Sequence, residues 1–588
     1  MAYRPPVNDM AFVLEHLVGI SELSRLDGFE ELDMDTVVGL LDEAGRFCAE
    51  QLEPLNRTGD AQPARVDGDR VIVADGFSEA YSMFVENGWN GIAFEPEYGG
   101  GGLPWTLGVA VQEMVNSSNM SFALCPLLTQ GAVDMLMHHA SEEQKETYLH
   151  KLVSGEWTGT MNLTEPHAGS DVGALTTRAV RADDGTYRIT GTKIFITFGE
   201  HEMAENIVHL VLARTPDAPA GTKGISCFIV PKYLVNPDGS LGQRNDLAVV
   251  STEHKIGIHA SPTCVMSFGD NGGAVGYLIG EENQGMRYMF TMMNNARLSV
   301  GIQGLAIAEI AMQLAADYAR ERKQGRPIGA DANAAIVEHA DIRRSLMTMK
   351  SHVEAMRGLM YLNAAAMDRA AHCDGEQAAA AASRAALLTP LSKGWGTDCG
   401  VEVASLGIQV HGGMGYIEET GAAQHWRDSR ILPIYEGTNG IQALDLAFRK
   451  LPLDGGGAMR SLVSDMRAAA EAVAEGPLAD IGNALSRAVD DVEAVATWMA
   501  TASPNDIAAG ATPYLTLVGT AAGGWVHVRS AAAALALLEA GRGDAEFLND
   551  KIASAQFFCS QVLPKTASLV AACTAGADPL FAVAAERF

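Results

Sequence analysis

The chain has 588 residues, 47% hydrophobic and 19% charged, a globular composition that excludes disordered and collagen-like classes. Single cores rarely grow past ~250–300 residues, so a chain this long divides into three or four packed units. A formal net charge of −30 and a pI near 4.8 repel phosphate backbones, which argues against nucleic acid as a partner and leaves basic protein surfaces open.

The eight cysteines, Cys48, Cys125, Cys227, Cys264, Cys373, Cys399, Cys559 and Cys573, are scattered. They form no CxxC pair and no Cys/His cluster at metal spacing, and so read as reduced structural thiols with no metal site. The start, MAYRPPVNDM, lacks the basic stretch and apolar run of a secretory signal, and the apolar run Ala531–Leu538 is too short to span a bilayer. A cytoplasmic protein without a membrane partner is the expectation.

From about Asp35 to Val153 apolar residues recur at helical spacing (Val37, Leu40, Leu41, then Val109, Val111, Met114), with the glycine run of Tyr98–Leu103 between them. This predicts an all-helical domain over residues 1–158, interrupted by one mobile loop. Near Met161 the pattern changes. Tyr187–Phe198, Asn206–Arg214, Gly224–Pro231 and Val265–Asp270 are β-branched, aromatic and punctuated by Gly, Pro and Asp, which predicts a β domain over 159–280. Helical spacing returns in Met286–Arg322, Asn333–Ala371 and Glu376–Val410, lengths that suit a four-helix bundle over 281–452. After the glycines of Leu453–Ala458, read as a linker, an Ala-rich tail over 458–588 predicts roughly four more helices. The fold class is therefore α+β, mainly α.

Four short stretches combine residue types that chemistry uses. Thr164–Asp171, TEPHAGSD, brings small residues, hydroxyls and a loop-fixing Pro to the helix-to-sheet junction, where backbone N–H and hydroxyl donors can meet a polar cofactor; an ordinary capped connection is the plainer reading. His167 within it reads as a solvated loop histidine more readily than as a general acid. Phe195 and Thr197 lie two apart and so share a strand face, for a flat ring and its edge or simply for core packing. Gln409–Tyr416, QVHGGMGY, places three glycines in four positions after a helix, which suits a pyrophosphate or a plain C-cap, and it is no Rossmann fingerprint because no strand precedes it. In Ile434–Gln442, IYEGTNGIQ, Glu436 stands between an Ile-Tyr pair and a Gly-Thr-Asn turn. Apolar flanks dehydrate a carboxylate and lift its pKa toward that of a working base. Gly437 leaves room for a ligand, and Thr438 or Asn439 can cap the helix that follows. A first-turn acid favoured by the helix dipole is the competing reading.

Taken in order along a helix, sheet, helix chain, TEPHAGSD, KIFIT, QVHGGMGY and IYEGT resemble the signatures of the acyl-CoA dehydrogenase flavoproteins over roughly Asp35–Lys450. The resemblance implies that Met161, Leu163, Thr164, Gly169, Ser170, Phe195, Thr197 and Thr438 hold the flavin and ribityl part of FAD, and that Arg322, Gln324, Gln409, Gly412 and Gly413 clamp its adenosine diphosphate part on a neighbouring subunit, hence a homodimer. It implies Glu436 as the catalytic base, and Ser170, Asn294, Arg297 and Gly437 as contacts for the acyl-CoA; a helix-surface charge is the other reading of Arg297. The chain departs from the family pattern in lacking an aromatic between Gln324 and Gly325, in Asn294 where Asp is frequent, and in Asn439-Gly440 where Ser-Gln is frequent.

The reaction so implied is α,β-dehydrogenation of an acyl thioester to the trans-2-enoyl-CoA. Glu436 takes the α-proton, the flavin takes the β-hydride, and the Glu436 N–H with a ribityl hydroxyl stabilises the thioester oxygen. An electron-transfer flavoprotein is the implied acceptor. The lead RPPVNDMAFVLEHL, the segment EHKIGIHASPTC and the long tail are similar to a bacterial subgroup acting on 3-methylthiopropionyl-CoA in sulfur-compound breakdown and on short and medium straight chains. Competing readings are an acyl-CoA oxidase, a non-catalytic FAD scaffold, and an alkylation-response-like nucleic-acid-binding flavoprotein. The last conflicts with a tail rich in acids such as Asp465, Glu471, Asp490, Asp491 and Glu493.

Overall fold

A computed structural model describes residues 3–588. Helix starts before the Asp35 limit set by apolar periodicity: Val7–Val13 continues into the wide turn Leu14–Val18, which ends at Gly19 (φ 79°), and Met10, Phe12, Val13, Leu14 and Leu17 are buried. Helix Met34–Phe47 begins where the Asp33 carboxylate accepts the Thr36 N–H at 2.8 Å. The first domain is not wholly helical, because Arg65–Asp67 pairs with Arg70–Ile72 as a small hairpin. Nor is its glycine run slack. The N–H groups of Gly100, Gly101 and Gly102 bond the carbonyls of Glu95, Gly91 and Phe94, and a Cβ on Gly100 would stand 2.1 Å from the Phe94 oxygen. The glycines are there for close backbone approach rather than for mobility.

The middle domain is an eight-stranded sheet in the order Leu247–Thr252, Thr263–Phe268, Tyr187–Thr197, Ala274–Leu278, Ser226–Pro231, Asn206–Ala213, Trp157–Asn162, with Arg178–Arg181 also paired to Tyr187–Thr197. Pairing is antiparallel except between Trp157–Asn162 and Asn206–Ala213. Trp157–Asn162 escapes sequence reading because it is buried on both faces and built from Thr, Gly and Asn, so no alternation marks it. On strand Tyr187–Thr197 the register slips opposite Val265, so that two residues, Ile194 and Phe195, face one. Phe195 takes φ 60° at that bulge.

In the bundle, Gly285–Glu321 and Ala340–His372 match the apolar spacing, while the stretch Glu376–Val410 is two helices, Gly375–Pro390 and Gly396–His411, joined by the π turn Leu391–Trp395. Pro390 lacks an N–H, and the ladder widens just after it. Helix Gly285–Glu321 meets the last helix backbone to backbone: a Cβ on Gly304 would lie 2.7 Å from the Gly396 oxygen, and one on Gly400 would lie 2.6 Å from the Gly304 oxygen.

The tail, Gly457–Ala472, Ala479–Met499, Pro504–Glu539, Ala545–Phe557 and Thr566–Thr574, belongs to the same core. Its entry is a tight turn, with Asp454, Gly455 and Gly456 all at positive φ, tied back by Ser383 to Asp454 and by Arg384 to Asp465 at 2.7 Å. The expected linker is therefore a packed corner. Helix Pro504–Glu539 lays Gly519 against the ring of buried Trp395 and Val526 against Gly358. A buried charge cluster joins the lead, the first domain, the bundle and the tail: Arg357, 1% exposed, donates to Glu113 at 2.6 Å, to Glu309 at 2.7 Å and to Asp9 of the lead, which also accepts from Lys551 of the tail.

Three helices, Met120–His139, Gly285–Glu321 and Pro504–Glu539, are long and apolar enough to cross a membrane, which inspection of uninterrupted apolar runs missed. Their most apolar windows are 89%, 83% and 61% buried inside the fold, so that surface is already used in packing.

Candidate functional site

Glu436 sits in the left-handed region at φ 55°, followed by Gly437 at φ 86°. Holding a non-glycine residue there costs of order 1–3 kcal/mol, and such strain collects at functional sites. The cause is local. Tyr435 closes a turn onto Ile431, and the Thr438 hydroxyl caps helix Asn439–Asp445 by accepting the Ile441 N–H at 3.3 Å. The chain has only two residues in which to reverse between these fixed points. Glu436 therefore precedes the cap and is no first-turn acid. Its N–H and that of Gly437 have no hydrogen-bond partner among the described residues, so both are free to donate.

The Glu436 side chain is half-buried by area and closely surrounded by protein. Burial pushes its carboxyl above the usual range, against the opposing pull of Arg297 and Lys393. Arg297 is only 7% exposed, which removes the helix-surface reading, and its Nη2 lies 3.7 Å from where a Gly437 Cβ would be. Asn294 lies one helical turn before it, its Oδ1 3.5 Å from Arg297 Nη1. Lys393, fully buried in the π turn, donates through Nζ to the Gly437 carbonyl at 2.7 Å and to Asn439 Oδ1 at 2.9 Å. Burial pulls its pKa down to about 7 despite the attraction of Glu436 and Asp398. Asn439 also donates to Gly394 O at 3.0 Å and to Asp398 at 2.8 Å. The Asn439 departure thus belongs to the scaffold behind the loop and not to a CoA or FAD contact. Tyr435 donates to Gln303, and the buried Gln303 Nε2, Gln442 Oε1 and Arg297 Nε have no partner among the described residues.

Around the sheet bulge Phe195 is 58% exposed, which rules out core packing for it and presents a ring face outward. Thr197 is partly exposed on the same strand, and Gly169 and Ser170 are exposed on the TEPHAGSD loop, with open space around the Gly169 Cα. Leu163 and Thr164 are partly buried beside Met161, and the Ile194 N–H bonds the Thr164 oxygen at 2.9 Å. These residues form a cradle with an exposed aromatic, free hydroxyls and open space at Gly169, which fits a flat polycyclic ring with a polyol arm. His167 is an exposed loop histidine whose Nε2 meets the Ala174 oxygen at 3.2 Å.

Arg322, Gln324, Gln409, Gly412 and Gly413 are exposed and gather at the other end of the bundle, where Tyr318 stacks on His411 at 4.5 Å. From Arg297 to Arg322 one unbroken helix separates the two groups, about 37 Å at 1.5 Å per residue. They do not meet Glu436 within one chain. Beside the glycines, Tyr416 is 86% exposed.

Sequence reasoning also missed the pair that holds the cradle in place. Glu165 is buried and accepts from Thr176, Thr177 and Lys193 Nζ, the last at 2.9 Å. Burial alone would raise its carboxyl, but these partners bring it down to about 2. Lys193 is pulled down to about 8 by burial and also donates to the Leu163 oxygen at 3.0 Å. Lys193 was signalled in advance only by a charge inside the otherwise apolar run of its strand, and Glu165, in the polar TEPHAGSD loop, by nothing local. The segment EHKIGIHASPTC is structural as well: Gly257 lies against the Arg427 backbone and the Ile258 N–H bonds Asp428.

Models of the acyl-CoA dehydrogenase N-terminal domain, middle domain and C-terminal domain match residues 36–156, 160–271 and 283–451, and one described as acetyl-CoA dehydrogenase C-terminal like matches 462–584. The chain is 50% identical over 575 residues, 96% of both chains, to the 3-methylmercaptopropionyl-CoA dehydrogenase of Ruegeria pomeroyi. In fold it is similar to Caenorhabditis elegans ACDH-11 in complex with C11-CoA (TM-score 0.78, 21% identity, 96% of this chain and 92% of that one). It is similar also to an acyl-CoA dehydrogenase complexed with FAD from Bacillus anthracis (TM-score 0.75, 22% identity, 93% and 89%).

Proposed function

This chain belongs to the acyl-CoA dehydrogenase family, FAD-dependent oxidoreductases acting on CH–CH bonds, and from that premise we propose that it oxidises 3-methylthiopropionyl-CoA to the trans-2-enoyl-CoA with Glu436 as base. The observation that carries the base assignment is a carboxyl raised by burial and held in a left-handed turn beside an unbonded N–H. The substrate rests on half-identity across nearly the whole length of a relative named for that thioester.

The residues divide the work as follows. The free Glu436 N–H donates to the thioester oxygen as negative charge develops there, and removal of a single donor of this kind typically costs ~3–4 kcal/mol in the barrier. The raised Glu436 carboxylate takes the α-proton. Arg297 and Lys393 limit that rise and so favour the ionised form. Phe195, Thr197, Met161, Leu163, Thr164, Gly169 and Ser170 hold the flavin end of FAD, with Thr438 beside it. Bound FAD supplies the acceptor for the hydride leaving the β-carbon. Asn294, Gly437 and Ser170 border the acyl-CoA path.

Arg322, Gln324, Gln409, Gly412 and Gly413 lie too far along the bundle to serve the same chain's cofactor, which supports a homodimer in which each chain completes its partner's FAD site. An electron-transfer flavoprotein as acceptor follows from the family, and free cysteines accord with a cytoplasmic setting.

The test is anaerobic titration of the holoenzyme with 3-methylthiopropionyl-CoA and butyryl-CoA. We expect the thioether substrate to bleach the flavin fastest and Glu436→Gln to bind FAD without bleaching. Faster reduction by butyryl-CoA would overturn the substrate, and turnover by the Gln variant would overturn the base. Hydrogen peroxide formed in air without an added acceptor would instead mark an oxidase.

A further inference from the structure

Away from the Glu436 site, the lead, the bundle and the tail border an open-mouthed cavity of about 530 Å³ that shares no lining residue with it. Small-molecule sites commonly run ~300–1,000 Å³. The walls are apolar along Leu17, Val18, Leu362, Leu388 and Trp525, and three guanidinium groups, Arg369, Arg384 and Arg529, enter the same space.

Their charges are unevenly balanced. Arg384 is paired with Asp465 at 2.7 Å, and Arg369 lies 3.5 Å from Glu22, whose carboxylate is mostly in solvent. Arg529 has no carboxylate within ion-pair distance among the described residues. It spends one N–H on the Leu17 oxygen at 2.6 Å, and its guanidinium stands 5.1 Å over the Trp525 ring. Burial, together with the charges of Arg369 and Arg384, pulls its pKa below the ordinary arginine range, against Asp465 and Glu22. The carboxylates of Glu22 and Asp465 line the same pocket, so three guanidinium groups face two carboxylates, and the surplus positive charge with Arg529 unpaired leaves room for one anion.

We propose that this cavity binds an amphipathic monocarboxylate, its carboxylate forked by Arg529 with Arg369 beside it and its hydrocarbon chain along Leu17, Leu362 and Trp525. The planar guanidinium fork matches a carboxylate in two-point fashion. The apolar walls select for a chain behind the head group, which inorganic phosphate lacks.

The test is calorimetric titration of the FAD-loaded holoenzyme with sodium octanoate, 1-octanol and inorganic phosphate. One octanoate per chain is expected, with octanol and phosphate about ten-fold weaker or more. Arg529→Gln is expected to weaken octanoate about ten-fold or more and to leave acyl-CoA turnover unchanged. Because Arg529 also holds the lead, Ala381→Phe is the second variant: it narrows the cavity from a partly exposed helix face, leaves every arginine in place, and is expected to weaken octanoate binding about ten-fold or more. Equal binding of octanol or phosphate, octanoate binding that survives both substitutions, or competitive displacement of octanoate by acyl-CoA would each overturn the proposal.

Discussion

Lys393→Met probes the loop that carries the base without touching it. The wild-type ammonium makes two hydrogen bonds, 2.7 Å to Gly437 O and 2.9 Å to Asn439 Oδ1, from a fully buried position. Bonds to charged groups are worth ~1.5–3 kcal/mol each, so the pair amounts to about 3–6 kcal/mol before the cost of burying the ammonium. Two weaker contacts survive its loss, Gln442 Nε2 to Gly437 O at 3.2 Å and Thr397 Oγ1 to Asn439 Oδ1 at 3.3 Å. With these offsets about 2–3 kcal/mol falls on the geometry of Glu436, which corresponds to a flavin-reduction rate about 30- to 150-fold slower. The electrostatic effect is separate. Below its own pKa of about 7 Lys393 is protonated and opposes the burial that raises Glu436, so its removal lifts the carboxyl further there and moves the acid limb of the rate–pH profile to higher pH. Lys393→Gln keeps a donor and loses the charge: part of the rate should return while the limb stays displaced. The assay is anaerobic stopped-flow bleaching between pH 6 and 9, with the ligand-free flavin spectrum as a fold control. A correctly folded Met variant that reduces its flavin within about two-fold of wild type, on an unmoved limb, would refute the reasoning.

Arg357→Met leaves Glu113 and Glu309 as buried carboxylates without a cationic partner, Asp9 keeping Lys551, and should cost about 3–5 kcal/mol in denaturant unfolding; a loss under about 1 kcal/mol would show that these acids are neutral in the fold. Phe195→Ala removes the exposed ring at the bulge and should weaken FAD retention about 2- to 10-fold with the sheet intact, so unchanged affinity by flavin fluorescence would remove Phe195 from the cradle. Stability should also fall on acidification. Burial holds His201 and His209 down to about 3, and His425 and His527 down to about 4, from an ordinary 6.5. Below 6.5 the unfolded chain takes up protons that the folded chain refuses, so stability present above that pH drains away toward pH 4, by about 2 kcal/mol per histidine at pH 5. Urea midpoints equal at pH 7.5 and pH 5 would contradict this.

The sequence by itself determined the order helix, sheet, helix and the long bundle helices, because apolar spacing over 20 or more residues is set locally by which face must be buried. It also singled out Glu436 and narrowed the helix cap to Thr438 or Asn439, of which the fold uses Thr438, since Ile-Tyr before and Gly-Thr-Asn after are themselves the turn chemistry that reverses the chain there. What it left open was everything that depends on partners distant along the chain. Strand Trp157–Asn162 has no periodicity because both its faces are covered, and the glycine runs at 99–102 and 455–457 read as slack although one is pinned by backbone bonds and the other is a packed corner. Lys393 meets Gly437 across 44 residues, Glu165 meets Lys193 across 28, and Arg357 meets Glu113 across 244. A buried ion pair is written in sequence only as two unrelated charges. Tertiary packing alone decides which of them find one another and which, like Arg529, are left facing a cavity.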